Sequence, residues 1–327
     1  MKIQEDLINQ PILKRLVGIM QNGRLAHAYM FVGPVDAGKS ETALMLAQLI
    51  NCDRPDLNKC QPCGVCGACV KIISGRHPDV HVIQSLEDGE ETIKIEQVRE
   101  LLGQSRLKPY EAKKKVFIIK NVEGLTADAA NALLKTLEEP TASSLLMLTT
   151  SHLEKNLSTI RSRCHRVVFL PVSKVKLASR LTTYYDVNAR SAHFLAYFAE
   201  GCLGKAKRLY EEKVIEYRDE VIDGFLLSKH SEAFIKKILS DKKKLKNFLD
   251  ILLLWVRDCW LIKAGAEPSS LIYADRAKEI EKFQARLSAK DLQRLTDEIV
   301  YTIKLLAENL NVKIPLLIIR ELLEENK

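Results

Sequence analysis

The sequence predicts an α/β domain with a parallel sheet, followed by two all-helical domains. In the first half of the chain, short apolar runs alternate with segments of helical periodicity, an order typical of parallel strands joined by helices. A glycine-rich loop directly follows the first apolar run. After Pro171 no further strand-like runs separated by turn signals appear, and helix-forming residues dominate up to Lys327. We therefore predict an α/β domain over residues 1–171, a small helical domain over 172–213 and a larger helical domain over 214–327.

Five short apolar runs are predicted to be buried strands of one parallel sheet. They are Ala28–Val32, Val80–Ile83, Val116–Ile119, Leu145–Leu148 and Val167–Leu170. Three segments between these runs carry apolar residues at helical spacing, and we expect helices on both faces of the sheet. They are Glu41–Ile50, Glu96–Leu102 and Ala127–Leu137. Thr126 is suited to cap the last of these helices, and Pro140 follows its end.

The remainder of the chain has the periodicity of amphipathic helices. Gly201 and Gly204 punctuate a small helical segment, and longer amphipathic patterns cover Ile235–Leu261 and Leu292–Leu310. The sequence Gly-Ala-Glu-Pro at 265–268 predicts a loop between the two long patterns.

Composition is that of a soluble globular protein. Hydrophobic residues make up 46% and charged residues 28% of the 327 residues, and a chain of this length predicts two or three domains. Aromatic residues make up only 6%, which argues against a broad base-stacking surface for single-stranded nucleic acid. The net charge of +8 permits weak contact with a phosphate backbone but does not by itself indicate a DNA-binding protein.

We expect the protein in the cytosol. The first residues, MKIQEDLINQ, lack the apolar core of a secretory signal. The most apolar stretch, Phe248–Ile262, contains three charged residues and is too short to span a bilayer, so it predicts a buried amphipathic helix.

The segment Gly33-Pro-Val-Asp-Ala-Gly38-Lys39-Ser40 matches the pattern of a phosphate loop. Glycines let backbone N–H groups turn inward around phosphate oxygens, and the N-terminal end of the following helix adds positive potential. Lys39 would reach the β- and γ-phosphates, and Ser40 would bind magnesium. The loop therefore predicts binding of ATP or ADP, against the alternative of a glycine turn that packs a helix.

Hydrolysis also needs an acidic residue at the end of a neighbouring strand to hold magnesium. The expected strand, Val116–Ile119, is followed by Lys120 and Asn121, and neither supplies a carboxylate. Glu123 comes two or three positions late, and we expect it to point away from the site. The sequence thus predicts nucleotide binding without turnover.

Cysteines cluster after the first predicted helix. Cys63, Cys66 and Cys69 follow one another at Cys-x-x-Cys spacing in a glycine-rich stretch, with Cys52 and Cys60 upstream. Three such thiolates can surround one metal ion, and a fourth from Cys52 or Cys60 would complete a closed, structural zinc site. A redox dithiol is the main alternative interpretation.

Five motifs lie in order between residues 25 and 170. They are Leu25-Ala-His-Ala-Tyr29, the cysteine cluster, His77-Pro-Asp79, Ala129-Ala-Asn-Ala-Leu-Leu-Lys-Thr-Leu-Glu-Glu-Pro140 and Arg161-Ser-Arg-Cys164. In order and spacing they resemble the bacterial DNA polymerase III clamp-loader subunits, a family of AAA+ proteins. The helical remainder is similar, more loosely, to the lid and collar domains of that family.

The resemblance implies roles for particular residues. It implies zinc ligands at Cys52, Cys63, Cys66 and Cys69, with Cys60 left over. It also implies that Arg163 is an arginine finger, which would stabilise charge on the γ-phosphate of ATP bound by a neighbouring subunit. Without the resemblance, a salt bridge is the ordinary interpretation of Arg163.

The resemblance further implies a subunit that does not hydrolyse ATP itself. Motor subunits of the family carry an Asp-Glu pair after the third strand, where this chain has Lys120-Asn121, and a sensing arginine in the lid, where it has Gly204. The implied partners are the motor and delta subunits of a five-membered ring, the sliding clamp and primer–template DNA. No membrane partner is implied.

Two other functions remain as alternatives. An active ATPase of the motor type would need Glu123 or Asp128 to supply the missing acid through an unusual turn. A zinc-ribbon nucleic-acid-binding module is the third interpretation, although the cluster has few basic neighbours. Basic runs at 113–115 and 242–244 are predicted to lie on solvated faces.

Overall fold

The computed structural model describes residues 10–84, 92–228, 232–239 and 241–324. The chain divides into two units by its internal contacts. The first comprises residues 1–172 and 202–205, and the second comprises 173–201 and 206–327. Among the described helices, none combines the length and the apolar character needed to cross a membrane.

Five parallel strands form one sheet in the first unit, which confirms the predicted fold class. The strands are β1 (Ala28–Val32), β2 (Val80–Ile83), β3 (Lys115–Ile119), β4 (Ser144–Thr150) and β5 (His165–Val168). They lie side by side in the order β2-β3-β4-β1-β5, so β2 and β5 are the edges. The central strands β1, β3 and β4 are almost wholly buried, as expected for a sheet covered on both faces.

Strand β5 lies two residues before its predicted position. The apolar run predicted residues 167–170, whereas the observed strand begins at His165, which pairs with Tyr29 of β1. Leu170 is 70% exposed and lies outside the strand. An edge strand has one open side, so polar residues such as His165 and Arg166 fit in it, and an apolar run marks it poorly.

Helices cover both faces of the sheet, as predicted. They are α1 (Gln10–Gln21), α2 (Lys39–Asn51), α3 (Gly67–Ile73), α4 (Ile95–Ser105), α5 (Ala127–Glu138) and α6 (Ser158–Arg161). Side chains of a strand alternate between the two faces of a sheet. In β1, Tyr29 and Phe31 pack in the apolar cluster with α1 and α2. Ala28 and Met30 pack on the other face with α4 and α5. Helix α1 was not among the sequence predictions.

The described part of the second unit contains helices and no strand, in agreement with the helical prediction. The helices from residue 174 onward are α7 (Lys174–Tyr185), α8 (Ala189–Phe198), α9 (Leu203–Glu211), α10 (Val214–Val221), α11 (Glu232–Ile238), α12 (Lys242–Lys263), α13 (Ala277–Arg286), α14 (Ala289–Ala307) and α15 (Lys313–Glu324). The first residues of α9 group with the first unit. The further division of this region at residue 213 remains a prediction.

The long pattern predicted over residues 235–261 is two helices rather than one. Asp241 lies between α11 and α12, and its side chain accepts hydrogen bonds from the backbone N–H groups of Lys243 and Lys244. This N-cap starts a new helix, and periodicity alone does not reveal it.

Candidate nucleotide site and cysteine cluster

The phosphate loop, residues 33–40, joins the end of β1 to the start of α2. Gly38 adopts a left-handed conformation at φ 83° directly before the helix. A Cβ atom at Gly33 would overlap the backbone oxygen of Phe169, so this position also requires glycine. Ser40 lies half-buried in the first turn of α2. The segment thus has the strand–loop–helix geometry of a phosphate-binding site.

Lys39 is folded back over its own loop. Its Nζ atom donates to the backbone oxygens of Gly33 at 2.6 Å and Pro34 at 2.5 Å, and to Ser151 Oγ at 3.2 Å. Burial lowers the pKa of the Lys39 ammonium, and the negative charges of Glu123 and Asp36 oppose that shift. A phosphate that binds in the loop would replace the two carbonyl contacts of the ammonium.

The two residues that follow β3 are Lys120 and Asn121, neither of which is acidic. Lys120 follows the strand, and its ammonium donates to Gln84 Oε1 at 3.1 Å. Asn121 is left-handed at φ 52°, and its N–H donates to Thr149 Oγ1. Asp128 lies exposed in the first turn of α5. No carboxylate therefore occupies the two positions that directly follow the strand.

The expectation that Glu123 points away from the site is wrong. The left-handed turn at Asn121 is followed by a short 3₁₀ helix, residues 122–124, which brings Glu123 to the end of β4. There Glu123 Oε1 accepts a hydrogen bond from the backbone N–H of Ser151 at 2.9 Å. Its other oxygen, Oε2, is buried and has no hydrogen-bond partner among the described residues. Glu123 thus faces the phosphate loop, although a backbone donor holds one of its oxygens.

Gly204 contacts the phosphate loop directly. A Cβ atom at this position would lie 2.8 Å from the backbone oxygen of Asp36 and 3.0 Å from its Cβ. Backbone atoms of Asp36, itself left-handed at φ 58°, therefore fill the space where a side chain would begin. The resemblance compares Gly204 with an arginine of motor subunits, and an arginine does not fit in this arrangement.

The four cysteines that the resemblance implied lie together. The Sγ atoms of Cys52, Cys63, Cys66 and Cys69 are all within 4.8 Å of one another. Cys60 is buried elsewhere, and its Sγ contacts the backbone oxygen of Leu57. A tetrahedral zinc site with Zn–S bonds of about 2.3 Å has edges of about 3.8 Å, so the four thiols could close around one ion after a small contraction.

Neighbouring groups hold the cluster in place. Lys113 Nζ donates to the backbone oxygen of Cys52 at 2.5 Å, and the backbone N–H of Cys63 donates to Cys52 Sγ at 3.2 Å. Backbone N–H groups of Val65 and Cys66 lower the pKa of the Cys63 thiol to about 6. Burial raises the pKa of the Cys52 and Cys69 thiols. Sequence reasoning did not find the role of Lys113, because no spacing links it to the cysteines.

Asp79 of the His-Pro-Asp motif is a buried anchor. Its carboxylate accepts hydrogen bonds from the backbone N–H groups of Tyr110, Glu111 and Ala112 at 2.8–3.0 Å. Lys115, 3% exposed, pairs with it at 3.5 Å. The prediction that the basic run 113–115 is solvated is therefore wrong for Lys115, whereas residues 242–244 are exposed as predicted.

Arg163 lies between α6 and β5 and is half-exposed. One guanidinium nitrogen lies 2.8 Å from Glu138 Oε1, and the other donates to the backbone oxygen of Thr159 at 2.9 Å. The salt bridge that was the ordinary interpretation of Arg163 is therefore present. The side chain of Arg163 is 35% exposed in this pair, and that of Glu138 is 50% exposed.

Two family models match the chain. The model described as DNA polymerase III, delta subunit, matches residues 8–173, and the one described as DNA polymerase III, delta subunit, C terminal, matches residues 212–326. A Bacillus subtilis protein named DNA polymerase III subunit delta' is 31% identical over 310 residues, which cover 92% of either chain. Together the two models and this relative account for nearly the whole chain.

Proteins named as tau or gamma-related subunits are also similar to this chain. The Bacillus subtilis DNA polymerase III subunit tau is 30% identical over 277 residues, which are 82% of this chain and 47% of that protein. A DNA polymerase III gamma subunit-related protein from Thermotoga maritima has a TM-score of 0.51 at 19% identity, over 97% of this chain and 98% of that one. At this identity the likeness shows the shared fold.

Proposed function

Because the chain belongs to the DNA polymerase III delta-prime subunit family, we propose that it is the non-hydrolysing AAA+ subunit of a bacterial replicative clamp loader. In this role it assembles with motor (gamma or tau) and delta subunits in the cytoplasm, as a component of the DNA polymerase III holoenzyme. The assembled complex places the sliding clamp on primer–template DNA. Arg163 acts in trans on ATP bound by a neighbouring subunit.

The residues that follow β3 carry this proposal. Lys120 and Asn121 stand where a magnesium-binding acid is needed, and the Lys120 ammonium would repel magnesium rather than bind it. The contact between Gly204 and Asp36 supports it further, because it leaves no room for a side chain at the position compared with the sensing arginine. The phosphate loop is then free to bind ATP or ADP without turning it over.

Arg163 is available for such a role. Its ion pair with Glu138 is partly exposed, and pairs of this kind contribute only about 0–1 kcal/mol. A triphosphate on an adjoining subunit would present more charge than one carboxylate. Stabilisation of that charge by an arginine in trans accelerates phosphoryl transfer by roughly 10³–10⁵-fold in comparable enzymes.

A loader reconstituted with Arg163→Ala tests the proposal. We expect near-normal assembly, measured by size-exclusion chromatography, together with loss of ATP-driven clamp loading. Arg161→Ala is the matched control, because Arg161 is exposed two residues earlier at the end of α6. Normal clamp loading by the Arg163→Ala complex would remove the finger assignment.

The position of Glu123 favours one second candidate, an active ATPase of the motor type. Its carboxylate faces the phosphate loop, and one oxygen has no described partner. An ATPase assay on the isolated chain, with and without primed DNA, separates the two functions. We expect no magnesium-dependent turnover, whereas the motor function requires it.

The cysteine cluster is proposed to hold one structural Zn²⁺. Four thiolates leave no open coordination position, so the ion would stabilise the loop between α2 and α3 rather than act on a substrate. Cys52, Cys63, Cys66 and Cys69 would be its ligands.

A further inference from the structure

An open groove of about 560 Å³ runs between helix α1 and the edge strand β5. Ile12, Arg15 and Ile19 line it from the helix, and Arg166 and Val168 line it from the strand. We call it the α1–β5 groove. No residue of the phosphate loop or of the cysteine cluster lines it, so it is separate from both sites described above.

Among the described residues, the α1–β5 groove carries positive charge and no acid. Arg15 and Arg24 line it and are exposed, whereas no described aspartate or glutamate does so. Neither of these two guanidinium groups forms an ion pair with any residue in the described ranges. Arginine is well suited to bind carboxylates through paired hydrogen bonds. The charge of the groove therefore fits an anionic ligand.

Among the described residues, the strand that borders the groove has an unpaired edge. β5 pairs with β1 on one side only, and the backbone N–H of Phe169 donates to the oxygen of Val32. Residues of a parallel strand bond alternately to one side and the other. Arg166 and Val168 therefore direct their backbone N–H and C=O groups away from β1, along the open edge. Such an edge is a template for an added strand.

We propose that the α1–β5 groove binds an extended acidic segment of a partner protein by β-strand addition. The backbone of the segment pairs with Arg166 and Val168, and its carboxylates bind Arg15 and Arg24. Apolar residues of the segment pack between the acidic ones against Ile12 and Ile19. Main-chain pairing supplies affinity, and the arginines select for acidic sequences.

A peptide fits the groove better than single-stranded nucleic acid does. Base stacking uses exposed aromatic rings, and among the described residues that line the groove the one Tyr, Phe or Trp is Tyr29, which is buried. Its hydroxyl oxygen accepts a hydrogen bond from the backbone N–H of Ala26, which fixes the ring inside. Main-chain donors and acceptors that alternate along β5 match amide groups rather than bases.

Fluorescence anisotropy with the full-length chain tests this proposal. The probe is a labelled, end-capped peptide of about eight residues, a common strand length, in which Glu alternates with Val. The comparison ligands are the same peptide with Lys in place of Glu and a single-stranded oligo-dT. We expect binding of the Glu peptide alone, with affinity that falls as salt increases. Equal binding of the Lys peptide, or no binding of the Glu peptide, would overturn the proposal.

Charge reversal then locates the site. We expect Arg15→Glu combined with Arg24→Glu to weaken binding of the Glu peptide by about tenfold or more. Lys14→Glu is the matched control for charge, since Lys14 is exposed on α1 but does not line the groove. Equal loss in the Lys14→Glu variant would contradict the assignment. If oligo-dT binds the unaltered chain and the double variant abolishes this binding, the groove is a nucleic-acid site instead.

A proline at position 168 tests strand addition itself. Val168→Pro removes only the outward N–H, which an edge strand tolerates, whereas Val168→Ala keeps it. We expect weak binding in the proline variant and near-normal binding in the alanine variant, with unchanged circular dichroism. Equal binding by the two folded variants would rule out pairing with β5. If the proline variant does not fold, the charge-reversal comparison decides the proposal.

Discussion

Glu123 Oε1 accepts a hydrogen bond from the backbone N–H of Ser151, and Ser151 Oγ in turn accepts one from the ammonium of Lys39. These contacts connect the turn after β3 with the end of β4 and with the phosphate loop. A negative charge therefore lies beside a loop that has the geometry of a phosphate-binding site. A backbone donor holds one oxygen of that carboxylate, which gives Glu123 a structural role at the end of β4.

The charge of Glu123 should oppose phosphate binding. We predict that Glu123→Gln binds ADP without magnesium more tightly, by up to about tenfold, because glutamine keeps an oxygen for Ser151 but loses the repulsion. Titration with a fluorescent ADP analogue measures the change. Asp128→Asn, at the exposed start of α5, is the control and should leave the affinity unchanged. Weaker binding by Glu123→Gln would contradict this role.

The contact between Gly204 and Asp36 predicts opposite effects for two glycine-to-alanine changes. Gly204→Ala should lower the free energy of unfolding by about 1–3 kcal/mol, because the new Cβ meets the Asp36 backbone. Gly103→Ala, inside α4 where a Cβ meets nothing within 4 Å, should raise it by about 0.5–1 kcal/mol. Urea denaturation of both variants provides the comparison. A stabilising effect at position 204 would show that the contact is absent.

Much of the first unit could be predicted because its central strands are buried on both faces. Runs such as Val116–Ile119 are then continuously apolar, and the phosphate loop has a fixed pattern of residues. Strand β5 was misplaced because its open edge admits His165 and Arg166. The orientation of Glu123 was predicted wrongly because residue periodicity does not reveal the left-handed turn at Asn121.

The sequence also did not allow us to predict which individual charged residues are buried. Lys115 belongs to a basic run that resembles a solvated surface, yet it pairs with Asp79, which lies 36 positions earlier. The four clustered cysteines, in contrast, were predictable from spacing and resemblance. Spacing alone does not separate Cys52 from Cys60, because both precede the other three. The resemblance implied Cys52, and the structure places Cys52 in the cluster.

The proposed zinc site predicts a clear difference between two cysteine variants. Cys66→Ser should lose bound zinc, because three thiolates bind the ion much less tightly than four. Cys60→Ser should retain about one zinc per chain, since Cys60 lies outside the cluster. Inductively coupled plasma mass spectrometry of both purified variants measures the metal. Zinc retained by Cys66→Ser at the normal stoichiometry would exclude this ligand set.

Asp79 should make stability depend on pH. Burial alone would raise the pKa of its carboxyl, but three backbone N–H donors and the charge of Lys115 outweigh burial and hold the pKa below its ordinary value of 3.8. The carboxylate therefore stabilises the fold fully above that value, and this contribution is lost as pH falls through the lowered pKa.

Asp79→Asn tests this dependence. We predict a free energy of unfolding lower by about 3 kcal/mol at neutral pH, because Lys115 loses its buried partner. The difference from the unaltered chain should shrink as the pH falls below 3.8. Asp56→Asn, on an exposed loop, is the control and should change stability little at either pH. A difference independent of pH would contradict the role of the Asp79 charge.

ATP turnover by the reconstituted loader tests most directly whether this chain serves a neighbouring site rather than its own. Three complexes are compared, containing the unaltered chain, Lys39→Ala or Arg163→Ala. We predict that Lys39→Ala leaves clamp-stimulated turnover nearly unchanged, whereas Arg163→Ala lowers single-turnover hydrolysis at the adjoining site on the order of 10³-fold. The reverse pattern, with turnover lost in Lys39→Ala and kept in Arg163→Ala, would contradict the account.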